Sequence, residues 1–188
     1  MSRGWEVLRQ HVLLDRSPWV KVLAETIRLE DGQTVVDNFY TVETVSYVVI
    51  FALTRQRTVP MIEQYRHALK RAVLEPPAGG IDHGEAPLDC AKRELLEETG
   101  LKAERWEQIG HFVVDPNQGH GHANLFLALD AVPVAPPHPG DLQQQTLHFL
   151  TLGQLRDHWL SDDCQTLASA TTIGLGLAHL ERLSADLL

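Results

Sequence analysis

Residues 79–101 read GGIDHGEAPLDCAKRELLEETGL, and this segment restricts the fold more than any other. From Ala86 to Thr99 the apolar residues Leu88, Ala91 and Leu95 recur at i, i+3 and i+7, the spacing of one helix face. Pro87 is tolerated in the first turn, and Gly100 supplies a C-terminal stop. At about 100° per residue, Glu94 lies about 60° from Glu97 on one side and about 40° from Glu98 on the other. Three carboxylates therefore share an arc of about 100° beside the apolar stripe. Like charges at these spacings repel, each pair costing about 0.2–0.5 kcal/mol. A hard divalent cation resolves the conflict, because Mg²⁺ takes one or two protein carboxylates and completes its shell with water and substrate phosphate. Arg93 is placed to pair with Glu85 or with one of these carboxylates and fix its orientation.

The rest of the chain reads as a β framework around this helix. WEVLRQHVLL, WVKVLAETIRL, TVVDNFYTV and TVSYVVIFAL are rich in β-branched and aromatic residues, with breaks at Asp15–Pro18 and Asp31-Gly32. RTVPMIEQYR reads as a further strand in which Pro60 marks an edge or a bulge. The passage EPPAGGIDHGE then ends this β region. Strand-like pieces at 109–114, 124–130 and 146–151 follow, with helices expected around 152–160 and 166–183. The expected class is α+β, with helices laid on sheet.

At 188 residues the chain has the size of one ordinary domain, and 44% hydrophobic residues suffice for a core. Lys and Arg total 16 against 25 Asp and Glu, a net charge of −9 that disfavours a nucleic-acid partner. No apolar run approaches a membrane span, and the first residues carry no signal-peptide pattern. Two cysteines, Cys90 and Cys164, are too few for a disulfide framework, so a reduced cytoplasmic setting is expected.

The helix sits in a fixed frame, G-x5-E-x7-R-E-U-x-E-E-x-G-U with U aliphatic, matched from Gly79 and Glu85 through Arg93, Glu94, Leu95, Glu97 and Glu98 to Gly100 and Leu101. Average residue frequencies put a chance match at about 10⁻⁷ or less over this length. The segment resembles the Nudix box, the signature of the Nudix hydrolases. The resemblance implies a Nudix fold, a mixed β-sheet sandwiched between helices. It also implies hydrolysis of a nucleoside diphosphate linked to another moiety, with Mg²⁺ or Mn²⁺ as cofactor. By the same resemblance Glu94, Glu97 and Glu98 face the metal, and Arg93 supports them.

EQYRHAL and EPPAGGI, which run into the box, are similar to the ADP-ribose pyrophosphatase branch. That similarity implies a metal-ligating carbonyl on Ala78, substrate contacts from Arg66 with Glu75 nearby, and Asn117 in a loop marked by Pro116. It also implies that residues 1–43 form an antiparallel β extension used for homodimerisation, with residues 44–188 as the hydrolase domain. Exposed aromatics of the extension, including Trp19 and Tyr40, are candidates to stack on a base.

Two departures from the branch stand out. His120 and His122 follow the Pro116 loop, and the later loop expected to carry an acidic residue reads GDLQQQTLHF. Gln143–Gln145 cannot act as a base, which leaves Asp141, a box glutamate, or weak turnover. Besides hydrolysis of ADP-ribose or another nucleoside diphosphate sugar, the sequence leaves open a Nudix-fold binding module without turnover. Hydrolysis of GDP-mannose, a coenzyme A derivative or a dinucleotide also stays open.

Overall fold

The computed structural model describes residues 4–138 and 145–185. The chain divides into two compact units, one built from the first 46 residues with Phe112–His122, the other from Tyr47–His111 with residues 123–188.

The first unit is an antiparallel meander of β1 (Glu6–Arg16), β2 (Val20–Arg28) and β3 (Val35–Glu43). The Asp31 carboxylate closes the β2–β3 turn by accepting from the backbone N–H groups of Gln33 and Thr34, at 2.9 and 2.8 Å. Gly32 there has φ +72°, which a glycine adopts without steric cost. Cross-strand pairs Glu6–Arg28 (2.7 Å) and Lys21–Glu43 (3.0 Å) lie near the two ends of β2. β1 is exposed along its whole length, although it carries Val7, Leu8, Val12, Leu13 and Leu14. Trp19 and Tyr40 are exposed as well.

In the second unit, β4 (Tyr47–Thr54) is central. It pairs in parallel with β10 (Gly119–Pro133) and antiparallel with β7 (Ala78–Gly80). Its run Val48–Leu53 is buried throughout, as expected of a strand covered on both faces. Alternate residues serve opposite layers. Val48, Ile50 and Ala52 join Cys90, Ala91 and Leu95 of α1 (Pro87–Thr99). Val49, Phe51 and Leu53 join Leu155 of α2 (Leu152–Trp159), and Ile173 and Leu177 of α3 (Leu167–Ala185). The expected α+β sandwich of helices and mixed sheet is therefore the fold observed.

A three-stranded sheet, β11 (Thr146–Thr151), β5 (Thr58–Arg66) and β6 (Arg71–Glu75), completes the α2/α3 layer through Val59 and Met61. β8 (Leu101–Lys102) and β9 (Arg105–Asp115) pair with β10.

Two sequence expectations need correction. The β region does not end at Glu75, because β7 follows it, and β6 precedes it unread; strands of five and three residues are too short to show period-2 alternation. Pro60 lies in the middle strand of its sheet and not on an edge strand. Pairing of β5 with β6 begins only at Ile62, however, so beside Pro60 the strand has one neighbour, through Phe149. The missing N–H is tolerated at such a local edge.

Among the described residues no helix is long and apolar enough to cross a membrane. The Gly-x-Gly of α3 has a packing role: a Cβ on Gly174 would press on the Trp159 ring, and one on Gly176 would enter the ring of fully buried Phe51. Gly176→Ala gains about 1 kcal/mol of helix propensity but overpacks a rigid ring at about 1–3 kcal/mol. We expect it to lower the midpoint of thermal unfolding by several degrees in calorimetry, while an exposed Gly→Ala control at Gly4 leaves it unchanged.

Candidate active site

The site is organised by β7 and the face of α1 that meets it. α1 has no side-chain N-cap, with Ala86 at that position and Pro87 next. Its place is secured instead by Cys90, Ala91 and Leu95, all fully buried. At its C-terminus Gly100 has φ +70° and donates its N–H to Leu96 O at 2.8 Å, and a Cβ there would strike Ala135 O. Conformation and space both require glycine at this position.

Arg93 binds the site together. Its Nε and Nη2 donate to the two oxygens of Glu85, at 2.9 and 3.0 Å. Nη2 also reaches Gly80 O at 3.2 Å. Nη1 donates to Glu94 at 2.6 Å and to Glu97 at 3.1 Å. The sequence posed Glu85 and a box carboxylate as alternative partners; Arg93 takes both. Its hydrogen bonds to Glu85 and then to Glu94 raise its already high pKa further. In return, Arg93 holds the Glu85 carboxyl down to about 2 from its ordinary 4.5. Cys90 lies under the clamp with its thiol donating to Gly80 O at 3.3 Å, and burial together with nearby Glu85 pushes its pKa up to about 12. Such a thiol is inert, in keeping with a packing role.

The three glutamates do not point to one spot. Glu94 lies over Gly79, where any Cβ would fall inside its carboxylate, so this glycine makes room for the glutamate. Glu98 is buried and accepts from the Ala78 N–H at 3.0 Å. Glu97 faces outward, its side chain 44% exposed. Two carboxylates thus come down on adjacent residues of β7. Among the described residues no three His, Cys, Asp or Glu side chains form a ready metal cage. An all-oxygen donor set with one or two carboxylates still suits Mg²⁺, which keeps water and substrate oxygens in its shell.

Ala78, Gly79 and Gly80 also line a cavity of about 290 Å³ together with Tyr47, Arg66, Glu75, Thr166 and Ser169. Arg66 Nε donates to Glu75 at 2.6 Å, so these two expected site residues do meet. Thr166 and Ser169 were not anticipated. Thr166 immediately precedes α3 and Ser169 lies in its first turn; a threonine there signals a helix start, and nothing in it points to a cavity.

Of the glutamine-rich loop, Asp141, Gln143 and Gln144 lie outside the described residues. Gln145 Nε2 donates to Gln64 at 3.3 Å and approaches Glu98 at 3.5 Å. Asn117, His120 and His122 belong to the first unit, where the Asp115 carboxylate accepts from the Asn117 N–H at 2.7 Å.

The Glu85–Arg93 pair makes stability depend on pH. Glu85 titrates at about 2 when folded and at its ordinary 4.5 when unfolded. Its contribution is fully present above 4.5 and is lost as pH falls through about 2. Glu85→Gln is expected to lower thermal stability at neutral pH, and the gap from wild type is expected to shrink below pH 4.5 and vanish near pH 2. A constant gap across a calorimetric pH series contradicts the pairing.

The chain is similar to several known proteins. It is 34% identical over 109 residues to a methanol dehydrogenase activator of Bacillus methanolicus, covering 58% of each chain. It is 37% identical over 81 residues to an ADP-ribose pyrophosphatase of Bacillus subtilis (strain 168), covering 43% of this chain and 44% of that one. With an ADP-sugar pyrophosphatase of Mus musculus it shares 29% identity over 154 residues, covering 74% of this chain and 71% of the other. The chain thus spans about half the length of the first two relatives. A crystal structure of an ADP compounds hydrolase superposes with a TM-score of 0.81 at 18% identity over 96% of both chains, which shows the fold. The family model for the NUDIX domain matches residues 43–166. A match over that share of the chain, with the box complete at every fixed position, makes this protein a member of the Nudix family.

Proposed function

We propose that this protein hydrolyses the pyrophosphate bond of ADP-ribose or another nucleoside diphosphate sugar, with Mg²⁺ or Mn²⁺ as cofactor. Water adds across the P–O–P bridge, the bridging bond breaks, and a nucleoside monophosphate and a sugar phosphate leave. The observation that carries this reading is the pair Glu94 and Glu98, laid on Gly79 and Ala78 at the rim of the Arg66 cavity. The two pyrophosphatase relatives support the substrate class.

Glu94 and Glu98, with the Ala78 carbonyl, are the proposed metal ligands. The bound cations would neutralise the pyrophosphate and lower the pKa of a water so that it can attack. Glu85 and Arg93 position Glu94. Arg66, oriented by Glu75, meets the anionic substrate, since a guanidinium matches phosphate oxygens in pairs. Of the three helix glutamates Glu94, Glu97 and Glu98, Glu97 is the most open to solvent water, which suits proton transfer.

A second reading, a ligand-binding module without turnover, is favoured by one contact: the residue beside Glu98 at the described edge of the later loop is the amide Gln145. The two readings part in a single assay. Phosphate release from nucleoside diphosphate sugars and dinucleotides, coupled to a phosphatase, is expected to require Mg²⁺ or Mn²⁺ and to stop with EDTA. Glu98→Gln is expected to lower kcat at least about a hundredfold, the scale of losing a metal-ligand or proton-transfer group. Tight binding of ADP-ribose with no turnover of any substrate overturns the hydrolase reading.

We further propose a homodimer formed through the first unit, because the apolar residues of β1 stay exposed within one chain. Sedimentation is expected to show a dimer that Val12→Asp with Leu14→Asp converts to monomer. A wild-type monomer at micromolar concentration contradicts this.

A further inference from the structure

We infer that Thr166, backed by Ser169, is a positioning residue for Arg66, so that the start of α3 sets how tightly the cavity holds a phosphoryl group. This rests on the reading of that cavity as the substrate site. Glu75 is buried at 7% exposure, and both of its oxygens are engaged. One accepts from Arg66 Nε at 2.6 Å, the other from the Thr166 hydroxyl at 2.9 Å. The Thr166 and Ser169 hydroxyl oxygens lie 2.7 Å apart, and Ser169 is itself buried.

The directions in this chain are fixed by chemistry. An ionised carboxylate only accepts, so the single Thr166 hydroxyl hydrogen goes to Glu75, and Thr166 in turn accepts the hydrogen of Ser169. Thr166 therefore pins one Glu75 oxygen and leaves the other to face Arg66. Without it, a buried carboxylate with an unsatisfied oxygen turns to share Arg66 differently or takes in water.

Arg66 is the group that feels this. It ends β5, its side chain is 42% exposed, and among the described residues only its Nε–H is hydrogen-bonded to the protein. Held along one edge, the guanidinium keeps its terminal N–H groups for a bidentate anion. The cavity walls of Tyr47, Ala78 and Gly79 put such an anion beside the residues that meet Glu98 and Glu94. Thr166 stands 91 positions from Glu75 in sequence, so no local motif links them.

The test is a double-mutant cycle read by calorimetric binding of a non-hydrolysable α,β-methylene analogue of ADP-ribose, with kcat and KM for ADP-ribose measured alongside. Thr166→Val keeps the shape and removes the hydroxyl; Thr166→Ser restores it. Thr166→Val is expected to weaken analogue binding about tenfold, the scale of one hydrogen bond to a charged group. KM should rise while kcat holds, and Thr166→Ser should bind as wild type, with all variants assayed well below their unfolding midpoints because the lost hydrogen bond to buried Glu75 also lowers stability. In an Arg66→Ala background, Thr166→Val is expected to add no further loss. Equal weakening in both backgrounds, unchanged binding by Thr166→Val, or no analogue binding by wild type overturns the inference. Coupled binding without turnover of ADP-ribose overturns the hydrolase reading and leaves the positioning role standing.

Discussion

The Arg93 guanidinium is the interaction on which the site depends. Placing Glu94, Glu97 and Glu98 within two turns of one helix sets like charges against one another. Arg93 offsets this from the same helix, reaching Glu94 and Glu97 with one nitrogen while its other two grip Glu85. The Gly80 carbonyl completes the grip and ties the helix to β7. A lysine could not substitute, because its single ammonium lacks the fork that serves four acceptor groups at fixed angles.

The fold serves this arrangement from both sides. The alternation of β4 gives one set of side chains to α1 and the other to α3, so the strand that pairs with β7 also anchors both helices. Two glycines are then unavoidable for reasons of space: Gly79 yields to the Glu94 carboxylate, and Gly100 turns the chain away under Ala135. The box is a sequence signature because backbone, helix and ion pairs all constrain the same few positions.

Much of this was legible in the sequence. The helix read over 86–99, observed as Pro87–Thr99, and its terminal glycine follow from spacing; charge and spacing also name the partners of Arg93, as alternatives that the structure joins. The identity of Glu98 as the buried carboxylate does not, because helical angles place three glutamates on one arc and cannot say which one a neighbouring N–H captures. β7 was invisible for a related reason: Ala-Gly-Gly carries no side-chain pattern, and its pairing is made by backbone. Thr166 was missed because its partner Glu75 is distant in sequence and only the packing of α3 brings them together. Asn117 was legible as a loop residue, and it lies in the turn that the Asp115 carboxylate closes.

The most direct measurement of the central claim is anomalous diffraction from crystals soaked in Mn²⁺. The account predicts an anomalous peak at coordination distance from carboxylate oxygens of Glu94 or Glu98, beside Ala78 and Gly79. Manganese bound only elsewhere, for instance at His120 and His122, or no ion at the box under saturating Mn²⁺, contradicts it.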